Sequence, residues 1–225
     1  GQCGVIINTQ YNRDAQCHSH TNFVRNGLPL HVQKKLAAAI WGSPDALDAP
    51  GDYTPANVHK AKRAKWSLLR KELHDALGVC NWMGPWAASP LGERGYAGDD
   101  SLESKFLSLA TGQAMDREEL DRVAERIFTL HRALTIRDMG RMDMRAVHDV
   151  VPPWVFEDPN GAPALTKGTI RMDPADIAKA MDYFYEVMGW DKATGAPSQA
   201  RYAALGLADV GEALAAAKLT PEAAK

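Results

Sequence analysis

Five times along this chain, a run with helical apolar spacing stops at a glycine. "HVQKKLAAAIWG" stops at Gly42, "LHDALG" at Gly78, "ESKFLSLATG" at Gly112, "LTIRDMG" at Gly140 and "YFYEVMG" at Gly189. A glycine just past a 3.6-residue periodicity is the usual left-handed stop of an α-helix. Strict alternation, the mark of a half-buried strand, is nearly missing. Only Val5–Ile7 and Thr169–Arg171 read as β-like. The fold class implied is mainly α: irregular helices joined by long loops.

The starts of these runs carry signals too. Thr54-Pro55 reads as an N-cap followed by proline at the first helical position. The helix it opens runs to about Leu77, with Lys60, Lys62, Arg63, Arg70 and Lys71 on its polar face. That basic face is expected to be solvated, with docking of an acidic electron carrier as the alternative. Asp116 and Glu119 form a capping pair ahead of the stripe Leu120, Val123, Ile127, Leu130 and Leu134. Asp173-Pro174 caps a helix whose stripe is Ile177, Ala180, Met181, Phe184 and Met188. Short helices over 198–205 and 208–218 close the chain. Residues 1–30 read as an irregular segment and 31–225 as one α-helical domain. The loops over 81–98 and 141–172 are longer than packing needs, and such loops usually carry function.

Composition excludes several classes. The 225 residues carry a formal charge of -2, which gives no argument for nucleic acid or a membrane surface. No apolar run approaches the roughly 20 residues of a bilayer span. Cysteines 3, 17 and 80 are odd in number and widely spaced, so a disulfide framework is not expected and a reducing cytoplasm is. No signal peptide is visible. The opening "GQCGVIINTQYN" lacks a methionine. The expectation is a fragment, a processed chain or one subunit of a split protein.

Two constellations can carry chemistry. In "RDAQCHSH", His18 and His20 flank a serine beside Cys17, with Arg13 ahead of them. His18 suits a general acid/base or an electrophile at a substrate oxygen. The plain alternative is a polar loop with ordinary hydrogen bonds, and Cys17 with either histidine is also a competent zinc ligand pair. In "DALGVC", Asp75 falls in the last turn of the long helix and Cys80 two residues past its glycine stop. A carboxylate there opposes the helix dipole, so a partner donor is expected. A thiolate there can hold iron or zinc; a buried free cysteine is the commoner fate of an isolated thiol. Trp82, Trp86, Trp154 and Trp190 flank loops, either as anchors or as a wall for an aromatic substrate.

"DALGVC" resembles the D-x-x-G-L-C motif of the tungsten-pterin aldehyde:ferredoxin oxidoreductase family, with Val79 in place of leucine. "CHSH" resembles that family's Cys-His segment. "YFYEVMGWDKATGAPSQARYAALGL" resembles its closing segment, with Gly189, Trp190, Asp191, Thr194, Gly195 and Pro197 in order. The likeness runs from about residue 10 to about residue 215 and is strongest to the bacterial branch, which includes aldehyde oxidoreductases and lies near the tungsten benzoyl-CoA reductases.

The resemblance implies the C-terminal part of a catalytic subunit that oxidises aldehydes to carboxylic acids. Its cofactors would be a tungsten bis-pterin, with or without magnesium, and a [4Fe–4S] cluster. Asp75 and Val79 would contact the pterin, with Arg13 and His20 as further cofactor contacts. Cys80 would supply one cluster ligand, and His18 would assist at the substrate carbonyl. The partners implied are the N-terminal part of the subunit, with its C-x-x-C-x-x-x-C run, and a ferredoxin-like electron-transfer subunit. Without that part, tungsten would not be held stably. The rival within the fold is reduction of an aromatic acyl-CoA ring. The rival outside it is a cofactor-free helical accessory protein.

Overall fold

The computed structural model describes residues 2–10, 28–48, 54–80, 87–89, 91–96, 98–156 and 172–221. Nine α-helices occur among these residues and no strand does. They are α1 (Gln2–Gln10), α2 (Leu30–Trp41), α3 (Val58–Leu77), α4 (Leu102–Thr111), α5 (Arg117–Met139), α6 (Met144–Val147), α7 (Pro174–Met188), α8 (Gln199–Ala204) and α9 (Ala208–Ala216). None of the described helices is long and apolar enough to cross a membrane.

The expected glycine stops are all present. Gly42, Gly78, Gly112, Gly140 and Gly189 cap their helices with φ between 66° and 83°. The Asp116–Glu119 capping box forms in full, and Asp173 caps α7 through the Ala175 N–H. Two starts differ from expectation. The cap of α3 is Asn57, whose side chain accepts from the Lys60 N–H at 2.9 Å, whereas the Thr54 carbonyl and hydroxyl accept from the Lys60 ammonium. Val5–Ile7, expected as β-like, lie within helix α1. Their β-branched side chains are poor helix formers. Packing overrides that preference, because Ile6 and Ile7 are buried in the core shared with α3 and α7. Thr169–Arg171 lie outside the described residues.

Helix α3 is the axis of the molecule. It packs against α1, α2, α5 and α7. Its apolar positions Ala61, Ala64, Leu68 and Leu73 meet Ile6 of α1, Leu120 and Phe128 of α5, and Phe184 and Met188 of α7 in one core. A second cluster gathers Val32 and Trp41 of α2 with Leu28 and Leu47. A third joins the end of α5 to Met144, Tyr202 and Leu214.

A helix with neighbours on several sides has little polar face to give to water. Four members of the predicted solvated basic face, Lys60, Arg63, Arg70 and Lys71, are buried, and only Lys62 is exposed. The docking reading of that face falls with it. Each buried cation has found acceptors, as burial of a charge requires. The Lys60 ammonium donates to Gln2 Oε1 at 2.8 Å and to the Thr54 carbonyl and hydroxyl, and pairs with Asp48 at 2.9 Å. Arg63 donates to the Ala46 carbonyl at 3.1 Å and stacks over Trp41.

The stripe predicted for α5 is only partly the buried face. Leu120 is buried, but Val123 and Leu134 are both 37% exposed. Ala124, Phe128, Thr129, Arg132, Ala133 and Ile136 turn inward with Leu120.

Gly195 marks the tightest approach among the described glycines. Its φ is +70°, and a Cβ there would lie 2.9 Å from the Tyr185 phenol oxygen and 3.0 Å from Arg132 Nη2. Gly112 has a similar φ, +74°, but open space around it. Gly112→Ala should therefore cost only the left-handed penalty, about 1–2 kcal/mol. Gly195→Ala should cost about 3 kcal/mol or more, because it also displaces a buried polar network. Urea unfolding of the two variants checks this; equal losses would contradict the packing described.

Candidate functional site

The site begins at the C-terminal end of α3. Gly78 takes φ 67° and ψ 25°, and the Val79 N–H returns to the His74 carbonyl at 2.8 Å. This 6→1 closure turns the chain sharply outward. Asp75 precedes the turn and is ion-paired with Lys71, the partner donor expected for a carboxylate at this helix end. Its side chain is 31% exposed, Val79 is half-buried and the Cys80 thiol is exposed. The expected pair thus flanks one capped helix end, the carboxylate partly exposed and the thiol exposed.

What holds that end still is buried beneath it. His74 is fully buried, and its Nε2 lies 3.1 Å from Glu103 Oε1 on α4. Arg70, one turn earlier, reaches Glu103 at 3.6 Å and pairs with Asp121 of α5. Burial alone would push the Glu103 carboxyl up, but the His74 hydrogen bond and the Arg70 charge outweigh it and hold it below its ordinary range. The last two turns of α3 are therefore tied to two other helices by charged groups. Such an end presents its side chains in one orientation.

The donor set fits part of a cluster-and-pterin site. Among the described residues, no three His, Cys, Asp or Glu side chains converge to hold an ion. Cys80 can supply one thiolate, and the other ligands of a four-thiolate cluster must come from elsewhere. Arg13, Cys17, His18 and His20 lie outside the described residues, as do Trp82 and Trp86.

The closing segment has a scaffold role. Trp190 is buried, lies parallel to Phe128 at 5.9 Å and has the Arg132 guanidinium 5.0 Å from its ring centre. The anchoring reading holds for this tryptophan. Asp191 accepts from the Thr194 N–H and hydroxyl, and Trp190 bridges to Pro197. The turn so formed offers the Gly195 carbonyl to Arg132 at 2.8 Å.

Arg132 is also the centre of a network that sequence reasoning missed. It grips the fully buried Asp149 carboxylate with two N–H groups, at 2.8 and 2.5 Å. The Tyr185 hydroxyl donates to Asp149 at 2.6 Å, and His148 Nδ1 lies 2.7 Å away. Burial would raise the Asp149 carboxyl, but the bonds from His148 and Arg132, the Arg132 charge and the Tyr185 hydroxyl hold it far below its ordinary range. Burial, with the Asp149 charge beside it, pushes the Tyr185 phenol up. The only sequence signal was the adjacent His-Asp pair at 148 and 149, in a segment read as irregular.

The sign of the pH effect follows. A carboxylate whose folded pKa is depressed stabilises the fold above its unfolded pKa, about 3.9 for Asp, and loses that contribution as pH falls toward the folded value. Asp149→Asn should be less stable than the parent at pH 7 but show a shallower loss below about pH 4. Urea midpoints measured from pH 7 to pH 2 check this; parallel curves would contradict it.

A profile described as Aldehyde ferredoxin oxidoreductase, domains 2 & 3, matches residues 4–207 of the chain. Among solved structures, one match is the active-site complex BamBC of benzoyl-coenzyme A reductase with 1,5-dienoyl-CoA. It has 25% sequence identity and a TM-score of 0.54 over 74% of this chain. The chain spans 22% of that neighbour's length.

Proposed function

The chain belongs to the aldehyde ferredoxin oxidoreductase family, and from that premise we propose that it is the C-terminal portion of a catalytic subunit oxidising aldehydes to carboxylic acids at a tungsten-pterin centre. The observation that carries this reading is the capped end of α3. It sets a partly exposed carboxylate and an exposed thiol on either side of a single glycine turn.

The cofactor would supply two-electron chemistry at the metal and one-electron exit through a [4Fe–4S] cluster. The residues of this chain bind and orient it. The Asp75 carboxylate accepts hydrogen bonds, which suits the ring N–H groups of a pterin. Cys80, five residues on, supplies one thiolate to a cluster. Their shared helix end fixes the distance between the two, and Val79 is proposed as a further cofactor contact. His18 is proposed to hydrogen-bond the substrate carbonyl, with Arg13 and His20 as cofactor contacts. The matched profile covers domains 2 and 3, so a first domain and the remaining cluster ligands are assigned to further polypeptide. A ferredoxin-like electron-transfer subunit is the proposed acceptor.

The structural neighbour supports a second reading, reduction of an aromatic acyl-CoA, because it is a benzoyl-coenzyme A reductase complex. Turnover of benzaldehyde against benzoyl-CoA with a viologen dye separates the two. The accessory-protein reading requires a native assembly without tungsten or iron.

In the native assembly, Cys80→Ala should lose cluster iron and Asp75→Ala should lose tungsten and pterin. Cys80→Ala should leave stability within about 0.5 kcal/mol, since its side chain is exposed, whereas Asp75→Ala also removes a partner of the buried Lys71 ammonium and should cost more. Metal analysis and thermal unfolding read these together. Full metal content and full activity in either variant would remove that residue from the site.

A further inference from the structure

A small recess lies where α1, α5, α6 and the end of α7 meet. Gln10, His131, Arg132, Thr135, His148 and Trp190 line it. About 10 Å³ is open to the centre of a water-sized sphere, which is room for about one water molecule. The Gln10 side chain is 95% buried, since 5% of the residue is exposed, and neither its amide nitrogen nor its oxygen has a hydrogen-bond partner among the described residues. The buried Trp190 indole N–H has none either. Buried polar groups in this state point to a ligand in the recess.

Each histidine is backed by a buried carboxylate from a different part of the fold. His148 Nδ1 lies 2.7 Å from Asp149 Oδ1. A carboxylate that holds its charge only accepts, so the neutral His148 ring carries its proton on Nδ1 and leaves Nε2 as an acceptor. His131 Nδ1 lies 3.1 Å from Glu72 Oε2 of α3, an ion-pair distance without the angle of a hydrogen bond. A proton taken up by either ring therefore arrives beside a buried negative charge. The opposing charge is Arg132, whose Nη1 is 3.3 Å from His148 Nδ1. That cation is already engaged by Asp149, which also accepts from Tyr185.

Two residues at the recess lie close in sequence to residues of the proposed site. Gln10 is the last residue of α1, three ahead of Arg13 in the sequence. Glu72 lies on α3 three residues ahead of Asp75, on the same side of the helix.

We propose that His131 and His148, bridged by water held on Gln10, form a proton-exchange station for the oxidation proposed above, on which this inference rests. That oxidation adds water to an aldehyde, sends two electrons to the cofactor and releases two protons as the acid forms. The station accepts those protons on the imidazole Nε2 atoms and passes them to solvent through the partly exposed ring edges, since the two side chains are 28% and 24% exposed. Both are positioning and relay groups, distinct from His18.

The test uses the native assembly with His131→Asn, His148→Asn and the double variant. Deuterium exchange at each imidazole Cε1, read by mass spectrometry, titrates the two histidines separately. His148→Asn should shift the His131 midpoint. With tungsten and iron unchanged, the double variant should lose about tenfold or more in turnover and the histidine limb of the pH–rate profile. A His131 midpoint that His148→Asn leaves unmoved, or a double variant with parental rate and profile at full metal load, would overturn the station. An assembly without tungsten or iron would instead overturn the function proposed above, and the exchange titration would still decide whether the pair takes up protons together.

Discussion

The structure depends on burying a charged helix. α3 sits among four other helices yet carries Lys60, Arg63, Arg70, Lys71, Glu72 and His74 in its buried positions. Breaking a buried ion pair by removing one partner costs about 3–5 kcal/mol, although forming it gains little net stability. The neighbours of α3 are therefore constrained by what each charge must meet. Gln2 and Asp48 answer Lys60, Glu103 and Asp121 answer Arg70, and Glu103 also answers His74. Each contact fixes another segment against α3, and the last of them fixes the end that carries Asp75 and Cys80. Specific orientation, more than added stability, is what such pairs give.

The same logic explains which parts of the fold were legible in the sequence. Helix ends were readable because the stop is local: a glycine after an apolar run needs no knowledge of neighbours. The Asp116 capping box and the Asp173 cap were readable for the same reason. α1 was not, since "GVIINT" carries β-branched residues whose helical state is imposed by packing on α3 and α7. The buried face of α5 was half readable. Leu120 and Leu130 follow hydrophobicity, whereas Arg132 is inside because of what it bonds. The solvated face assigned to α3 failed most clearly. Amphipathic spacing reports where water is only when one side of a helix is free.

The candidate site divides along a similar line. Asp75, Val79 and Cys80 were found because motif and helix end coincide in one short stretch. Glu72, His131 and the His148–Asp149 pair are far apart in sequence and are brought together by tertiary contacts alone. No local pattern links a histidine on α5 to a carboxylate on α3. Buried polar atoms without partners, such as the Gln10 amide, become visible only once burial is known.

The closing segment shows how a motif can act through the scaffold. Gly189, Trp190, Asp191, Thr194, Gly195 and Pro197 are each accounted for by one turn. Gly189 ends α7, Trp190 fills the gap between Phe128 and Arg132, and Asp191 locks Thr194. Gly195 alone leaves room for the Tyr185 phenol and the Arg132 guanidinium at under 3.1 Å from where a side chain would begin. Those two groups are the ones that bond Asp149, and Asp149 in turn faces His148. The constraint on the turn is thus passed through Arg132 to the recess wall. A change at Gly195 would reach His148 through the Arg132–Asp149 and Asp149–His148 contacts, although the two residues are 47 positions apart in the chain.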